Sequence, residues 1–284
     1  MKTLAFIHRN DTHFAVGDFA HVLSVFSHYE LGNTISPFLL LDHIGPEQLQ
    51  PMSQRKGVSD HPHRGFETVT IVYKGEIEHK DSKGSGGIIG AGDVQWMTAA
   101  AGIVHQEVFS KAFRERGGAF EMIQLWVNLP ARDKLSAPGY QSLTSDQIPT
   151  IELPNGIGSV RVIAGQFNGQ SGPAKTHTRI NILDVKMRSG QSATFNAEAG
   201  DTALVYLVSG RLQFDKTEKM EDAGLAVMSS NESDFSVETL GDSHFLILSG
   251  EPINEPIFGR GPFIMNSYEE ILQAFEDSKN GELG

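Results

Sequence analysis

His61-Pro62-His63-Arg64-Gly65-Phe66-Glu67 is the stretch from which the rest of the chain can be read. It runs into Thr68-Val69-Thr70-Ile71-Val72-Tyr73 and a turn at Lys74-Gly75-Glu76. Side chains at i and i+2 of a β-strand point to the same face, so His61 and His63 can converge on one ion. A second pair with the same spacing lies in Gly102-Ile103-Val104-His105-Gln106-Glu107, where His105 and Glu107 share a face. Three imidazoles and one carboxylate make a mixed nitrogen and oxygen donor set. That set suits iron, manganese, nickel, copper or zinc, and not calcium. A single histidine in a polar segment is ordinarily a surface or hydrogen-bonded residue. Two i, i+2 pairs, each set among strand and turn signals, point instead to a metal site.

Outward from this stretch the chain reads as short strands and turns. Phe38-Leu39-Leu40-Leu41, just after Pro37, is a continuous apolar run consistent with a buried strand. Asp42-His43-Ile44-Gly45-Pro46 is expected to end it with turn chemistry, and residues 47–60 to be a polar loop. His43 reads as a polar residue at a strand end rather than a ligand. Thr68–Tyr73, Gly75 and Ile77–His79 form a hairpin, and Ala119–Leu129 is the longest strand candidate of this half. Residues 130–150, with Pro130, Pro138, Gly139 and Pro149, read as a connection rather than core. Strand-like runs resume at 160–164, 180–186, 203–208, 211–214, 225–228, 235–238 and 245–248. Near the end, Ser267 is the expected N-cap of a helix over 267–276, with Glu270 completing a capping box. Ile271, Leu272 and Phe275 are expected to form its docking face.

The 284 residues carry 23 Lys and Arg against 35 Asp and Glu, a formal charge of −12. No basic patch reads as a nucleic-acid footprint, so direct nucleic-acid binding is not expected. The absence of cysteine excludes disulfides, thiolate metal sites and cysteine nucleophiles within the chain. The first residues are apolar over too short a run for a signal peptide, and no run is long enough to span a membrane. The default expectation is a cytoplasmic protein that makes no membrane contact. With 30 Gly, 12 Pro and many short β-rich segments, an all-β fold is favoured.

An internal repeat is visible. Residues 70–78 and 205–213 share the pattern strand, glycine turn, alternating strand, with Gly75 matching Gly210 at a shift of 135. That shift carries His61 onto Asn196 and His63 onto Glu198, and near the second pair it offers Leu240 and Asp242. The second half therefore reads as a copy of the fold without the histidine set, and one metal per chain is expected. His177 and His244 stand alone and read as structural or surface residues.

Four segments together resemble the pirin family of the cupin superfamily. They are His-Pro-His-Arg-Gly-Phe-Glu-Thr-Val at 61–69, Gly-Asp-Val-Gln-Trp-Met-Thr-Ala at 92–99, Gly-Ile-Val-His-Gln-Glu at 102–107 and Gln-Leu-Trp-Val-Asn-Leu-Pro at 124–130. Pro37–Asp42 fits as well, and the chain looks like a bacterial pirin-like protein. The resemblance implies a bicupin: two stacked jelly-roll-type β-barrels with a short C-terminal helix. The expected domains are 1–133, an N-terminal metal-binding cupin; 134–250, a C-terminal cupin without metal; and 251–284, a tail and helix packing back on the molecule. It implies one mononuclear metal, Fe(II) first, with Mn, Ni, Cu and Zn as alternatives, held by His61, His63, His105 and Glu107. Many other cupins take the carboxylate from the position of Glu67. Residues 61, 63 and 67 share parity, so Glu67 is the second choice. One departure from the general cupin pattern is Ala100, where a proline would precede Gly102.

Some pirins resemble flavonol 2,4-dioxygenases, which open the central ring of quercetin with O2 and release carbon monoxide. There the flavonol approaches the metal through its deprotonated 3-hydroxyl, and Glu107 is the expected catalytic base. Arg64, Phe66, Glu67, Trp96 and Met97 are candidates for residues around the pocket. Trp96 and Phe66 read equally as barrel core, and Arg64 equally as an ion-pair residue. The ligand implied is a flavonol or another chelating small molecule, with O2. The alternative implied by the family is a metal-dependent, redox-sensing regulator that binds a protein partner. Metal is expected to leave in mild acid as the imidazoles protonate.

Overall fold

The computed structural model describes residues 1–283, and they form two compact units, each built on antiparallel β-sheet. One unit comprises Asp11–Gly32, Phe38–Ser145 and Ile253–Gly284. Its larger sheet has seven strands, in the order Gly139–Leu143, Val94–Thr98, Phe66–Lys74, Gly118–Asn128, Phe38–Leu49, Phe19–Ser27 and His13–Val16. Its smaller sheet runs Gly57–His63, Ile103–Phe109, Glu76–Asp81, Gly86–Gly90. The central strand Phe66–Lys74 is buried from Phe66 to Val72, which accounts for its run of Val, Ile, Thr and Phe. Phe19, Phe109, Phe113 and Phe120 pack into one aromatic cluster of this interior.

Three sequence expectations change here. Phe38–Leu41 does not end at Asp42; the strand continues to Leu49 against Gly118–Asn128. The turn-like Gly45-Pro46 sits at a register shift, where these two residues stand against the single Glu121 between Phe120 and Met122 and Gly45 takes φ +86°. Turn residues thus mark an irregularity inside a strand rather than its end. Gly139–Leu143, expected within a connection, adds an edge strand along Val94–Thr98. The helix Tyr268–Lys279 is capped as expected, Ser267 accepting from the Glu270 N–H and the Glu270 carboxylate accepting from the Ser267 N–H. Its buried face, however, is Ile271 and Ala274, while Leu272 and Phe275 are exposed at 47% and 39%. Phe275 lies edge-on to Phe263, with the Arg260 guanidinium over its ring.

This helix and the hairpin before it, Phe258–Arg260 with Phe263–Met265, are fastened beside the His-x-His strand. Arg64 donates to the Ala101 carbonyl at 2.6 Å and forms an ion pair with Asp277 on the helix at 2.6 Å. Gly65 must be glycine: φ is +88°, and a Cβ there would lie 1.9 Å from the Ile264 carbonyl oxygen. The buried Lys134 ammonium donates to the carbonyls of Gly65 (2.6 Å) and Ile264 (3.0 Å) and to Asn128 Oδ1 (2.7 Å). All three of its protons are therefore engaged. Burial nevertheless lowers its pKa to about 7, against the pull of Glu255 and Glu270. Lys134→Met keeps the stem and strands these acceptors, so it is expected to cost roughly 3 kcal/mol. Urea denaturation at pH 6 checks this; a loss below half that size would show that the ammonium is not the anchor.

The other unit comprises Met1–Asn10, Asn33–Pro37 and Asp146–Pro252. Leu4–His8 belongs to it because it pairs with Leu225–Met228 at the edge of a second seven-stranded sheet. The positions that the repeat aligns with His61 and His63 are committed elsewhere: Asn196 donates to Asp234, and Glu198 pairs with Arg179. The interior is filled by an apolar cluster that includes Phe195, Phe214, Phe235 and Phe245. Among the described residues no helix is long and apolar enough to cross a membrane.

Candidate metal centre

His61 and His63 lie at the end of the Gly57–His63 strand, and His105 lies on the Ile103–Phe109 strand beside it. The antiparallel register puts His105 opposite His61 and Ile103 opposite His63. Directly opposed residues share a face, so the pairing brings together three rings that the spacing alone places only two by two. Ring centroids are 4.3 Å apart for His61 and His105, 4.8 Å for His61 and His63, and 5.1 Å for His63 and His105. One nitrogen from each ring lies within 4.8 Å of the others, and this is the one such cluster of three or more potential ligands among the described residues. Donors about 2.1 Å from one ion at tetrahedral or right angles lie about 3.0–3.4 Å apart, so the three rings would draw together by about an ångström to share an ion.

The hydrogen bonding suits metal ligation. His61 Nδ1 lies 2.8 Å from the Ser59 carbonyl oxygen. A proton on Nδ1 fixes the tautomer and leaves Nε2 as the lone-pair donor. His105 is 1% exposed, and neither of its ring nitrogens has a hydrogen-bond partner. A fully buried imidazole with two orphaned nitrogens is costly unless something outside the chain satisfies it.

Electrostatics keep His63 and His105 neutral. Burial, reinforced by His61, lowers the His63 pKa to about 3, with the Pro262 carbonyl acting against the shift. Burial also pushes His105 well below its ordinary value, as do the neighbouring His63, His61 and His79. A metal takes neutral imidazole, so these two candidate ligands are already in the competent form at neutral pH. In the fold His63 and His105 resist protonation, which works against the expected loss of metal in mild acid.

Glu107 is buried on the His105 strand and lines a cavity of about 130 Å³ together with His61 and His63. Its Oε1 lies 3.1 Å from Thr70 Oγ1, which is also 2.7 Å from Gln124 Oε1. One hydroxyl proton cannot serve both acceptors. Turning the Gln124 amide over resolves the conflict, its Nε2 donating to Thr70 and Thr70 donating to the Glu107 carboxylate. Burial raises the Glu107 pKa against the opposing pull of His61 and Thr70. Glu67, the other carboxylate considered, is held at Oε1 by Trp96 Nε1 (3.0 Å) and Thr98 Oγ1 (2.6 Å).

The remaining candidates fall into two groups. Phe66 packs edge-on to the His63 ring at 5.1 Å and against Trp126 at 4.3 Å. Arg64 is committed to Ala101 and Asp277, Trp96 to Glu67, and Met97 packs with Ala99, Ile103 and Tyr140. His43 faces Glu121 at 3.2 Å. Sequence reasoning passed over Thr70 and the cavity residues Asp42, Gln124 and Trp126. The available signal was a lone polar residue inside an apolar strand run: Leu41-Asp42, Ile123-Gln124-Leu125 and Val69-Thr70-Ile71.

The Pirin family model matches residues 20–127, and that of the Pirin C-terminal cupin domain matches residues 182–284. A Pseudomonas aeruginosa protein named "Putative quercetin 2,3-dioxygenase PA2418" is 49% identical over 281 residues, covering 99% of this chain and 98% of its own. A pirin-like protein of Caulobacter vibrioides is 39% identical over 250 residues, 86% of each chain. The crystal structure of a quercetin 2,3-dioxygenase from Acinetobacter baumannii superposes with a TM-score of 0.98 at 44% identity, covering 100% of this chain and 99% of that one. The two β units described above are thus cupin domains.

Proposed function

The chain belongs to the pirin family, and from that membership we propose that it is a mononuclear metal protein that opens flavonols with O2 in the manner of a 2,4-dioxygenase. His61, His63, His105 and Glu107 are the proposed ligands, with Fe(II) as the first candidate and Mn, Ni, Cu or Zn as alternatives. The observation that carries this reading is the buried imidazole cluster, with both nitrogens of His105 orphaned. The names borne by the relatives supply the substrate class.

When bound, the ion would supply Lewis acidity toward a chelating oxygen pair and one-electron chemistry with O2. The protein's own residues do the rest. Glu107 takes the proton of the flavonol hydroxyl, and burial, by raising its pKa, makes it a stronger base than a surface carboxylate. Thr70 orients that carboxylate. Trp126 and Met122, with Phe19, Val22 and Ile44, give the cavity an apolar wall that excludes water. The ring opening consumes one flavonol and one O2 and yields the cleaved ester and carbon monoxide.

Oxygen uptake by anaerobically iron-loaded protein on addition of quercetin tests the reading. Uptake should match flavonol loss mole for mole. No uptake by protein that holds one Fe(II) per chain would overturn the dioxygenase assignment and favour a metal-dependent regulator with a protein partner.

A further inference from the structure

The interior face of the seven-stranded sheet carries one polar row. Ser24 lies directly opposite Asp42, Asp42 opposite Gln124, Gln124 opposite Thr70, and Thr70 opposite Gln95. Opposed residues on antiparallel strands share a face, so the five side chains form one line across five strands. Two residues along each strand, the neighbouring line is apolar: Val22, Ile44, Met122 and Val72 belong to the hydrophobic core. At Thr70 the row meets Glu107, and at Asp42 it meets the cavity that His61, His63 and Glu107 also line.

Asp42 is the second acid of that cavity, and its situation is unlike that of Glu107. It is 8% exposed, and its Oδ1 is buried with no hydrogen-bond partner. Ser24 bonds to its carboxyl group, and Gln124, the next residue in the row, is within bonding distance of Thr70. Burial raises its pKa to about 7, with Ser24 opposing. A buried carboxylate oxygen left without a partner works against folding. Its presence is explained if something that enters the cavity supplies a donor. A cavity of about 130 Å³ with an apolar wall is of the size that accepts a single benzene-like ring.

We propose that the Asp42 carboxylate, on the cavity wall, recognises a hydroxyl group on an aromatic ring of the ligand by accepting its hydrogen bond, and so sets specificity for hydroxylated over bare rings. This inference deepens the flavonol reading and rests on it for the ligand class. Asp42 positions the ligand; it is not asked to act on the reacting atoms.

The test is anaerobic fluorescence titration of the protein loaded with one Fe(II) per chain. Two probes are used: quercetin, and 3-hydroxyflavone, which keeps the chelating hydroxyl and keto pair and lacks every other hydroxyl. Wild type should bind quercetin about tenfold or more tighter than 3-hydroxyflavone, the size expected for one hydrogen bond to a buried charged group. Asp42→Leu, which removes the acceptor, should lose about that factor for quercetin and stay within twofold for 3-hydroxyflavone, with iron content unchanged. Asp42→Asn, which keeps one acceptor oxygen without the charge, should retain part of the preference and shows that the loss in Asp42→Leu is not misfolding. Equal affinities for the two probes in wild type, equal losses for both in Asp42→Leu, or binding of neither probe would overturn the assignment. Selective binding without oxygen uptake on admission of air would overturn the dioxygenase reading and leave the role of Asp42 standing.

Discussion

His63→Ala is expected to reduce bound metal from one ion per chain to less than a tenth of that after dialysis, with the β-sheet circular dichroism retained. His63 supplies one of three imidazoles whose donor atoms lie within 4.8 Å of one another. Removing it leaves His61, His105 and Glu107, a set short of the donors that a tightly held transition ion takes. Quercetin-dependent oxygen uptake should fall with the metal. The fold should survive because the ring is one contact among several: Phe66 and Trp126 still pack on each other at 4.3 Å. A cavity the size of an imidazole should cost about 2 kcal/mol. Metal analysis of the purified variant decides the matter, and a full complement of iron would sink the ligand assignment.

The second large effect is a reversal of relative stability with pH in the metal-free proteins. The folded-state pKa of His63 is lowered to about 3 from the ordinary 6.5, chiefly by burial. Above pH 6.5 the ring is neutral in both folded and unfolded chains, and its packing contributes in full. As pH falls below 6.5 the unfolded chain takes up a proton that the fold refuses, so wild type loses stability down to about pH 3. The loss accumulates at about 1.4 kcal/mol per pH unit, to a total of about 5 kcal/mol. His63→Ala has no such group. It should therefore be less stable than wild type at pH 7.5 and more stable at pH 4. Asp42 titrates in the opposite sense: its pKa is raised from 3.8 to about 7, so it penalises the fold increasingly as pH rises through that interval and fully above it. Asp42 is common to both proteins, and His105, whose pKa His63 also lowers, protonates more readily in the variant and so adds to the difference in the same sense. Urea midpoints of the two metal-free proteins at pH 7.5, 5.5 and 4 provide the test. Parallel curves would mean that the buried ring is solvated in a way that its packing does not suggest.

Much of this was legible in the sequence, because the signals were local. The i, i+2 spacing of His61 with His63 and of His105 with Glu107 states which side chains share a strand face, and strand geometry needs no tertiary information to say so. The capping box at Ser267 and Glu270 is equally local. The loss of the histidines at residues 196 and 198 was visible as a simple shift of the repeat. The four matched segments carried the family, and with it two cupin domains.

What only the tertiary structure decided depends on which strand lies beside which. The meeting of His61 with His105 follows from the pairing of Gly57–His63 with Ile103–Phe109, and no residue spacing states that pairing. The same holds for Asp42, Gln124 and Thr70, which lie far apart in the chain and form one row only through three strand registers. The continuation of Phe38–Leu49 through Gly45-Pro46 was hidden because a bulge uses the same residues as a turn. The docking face of the last helix turned toward Ile271 and Ala274 because Arg64 ties Asp277, on the same helix, to the Ala101 carbonyl. Burial, and hence the neutrality of His63 and His105, is likewise a property of the packed unit. A sequence names the candidate ligands, but the dielectric around them exists only once the sheets have closed over them.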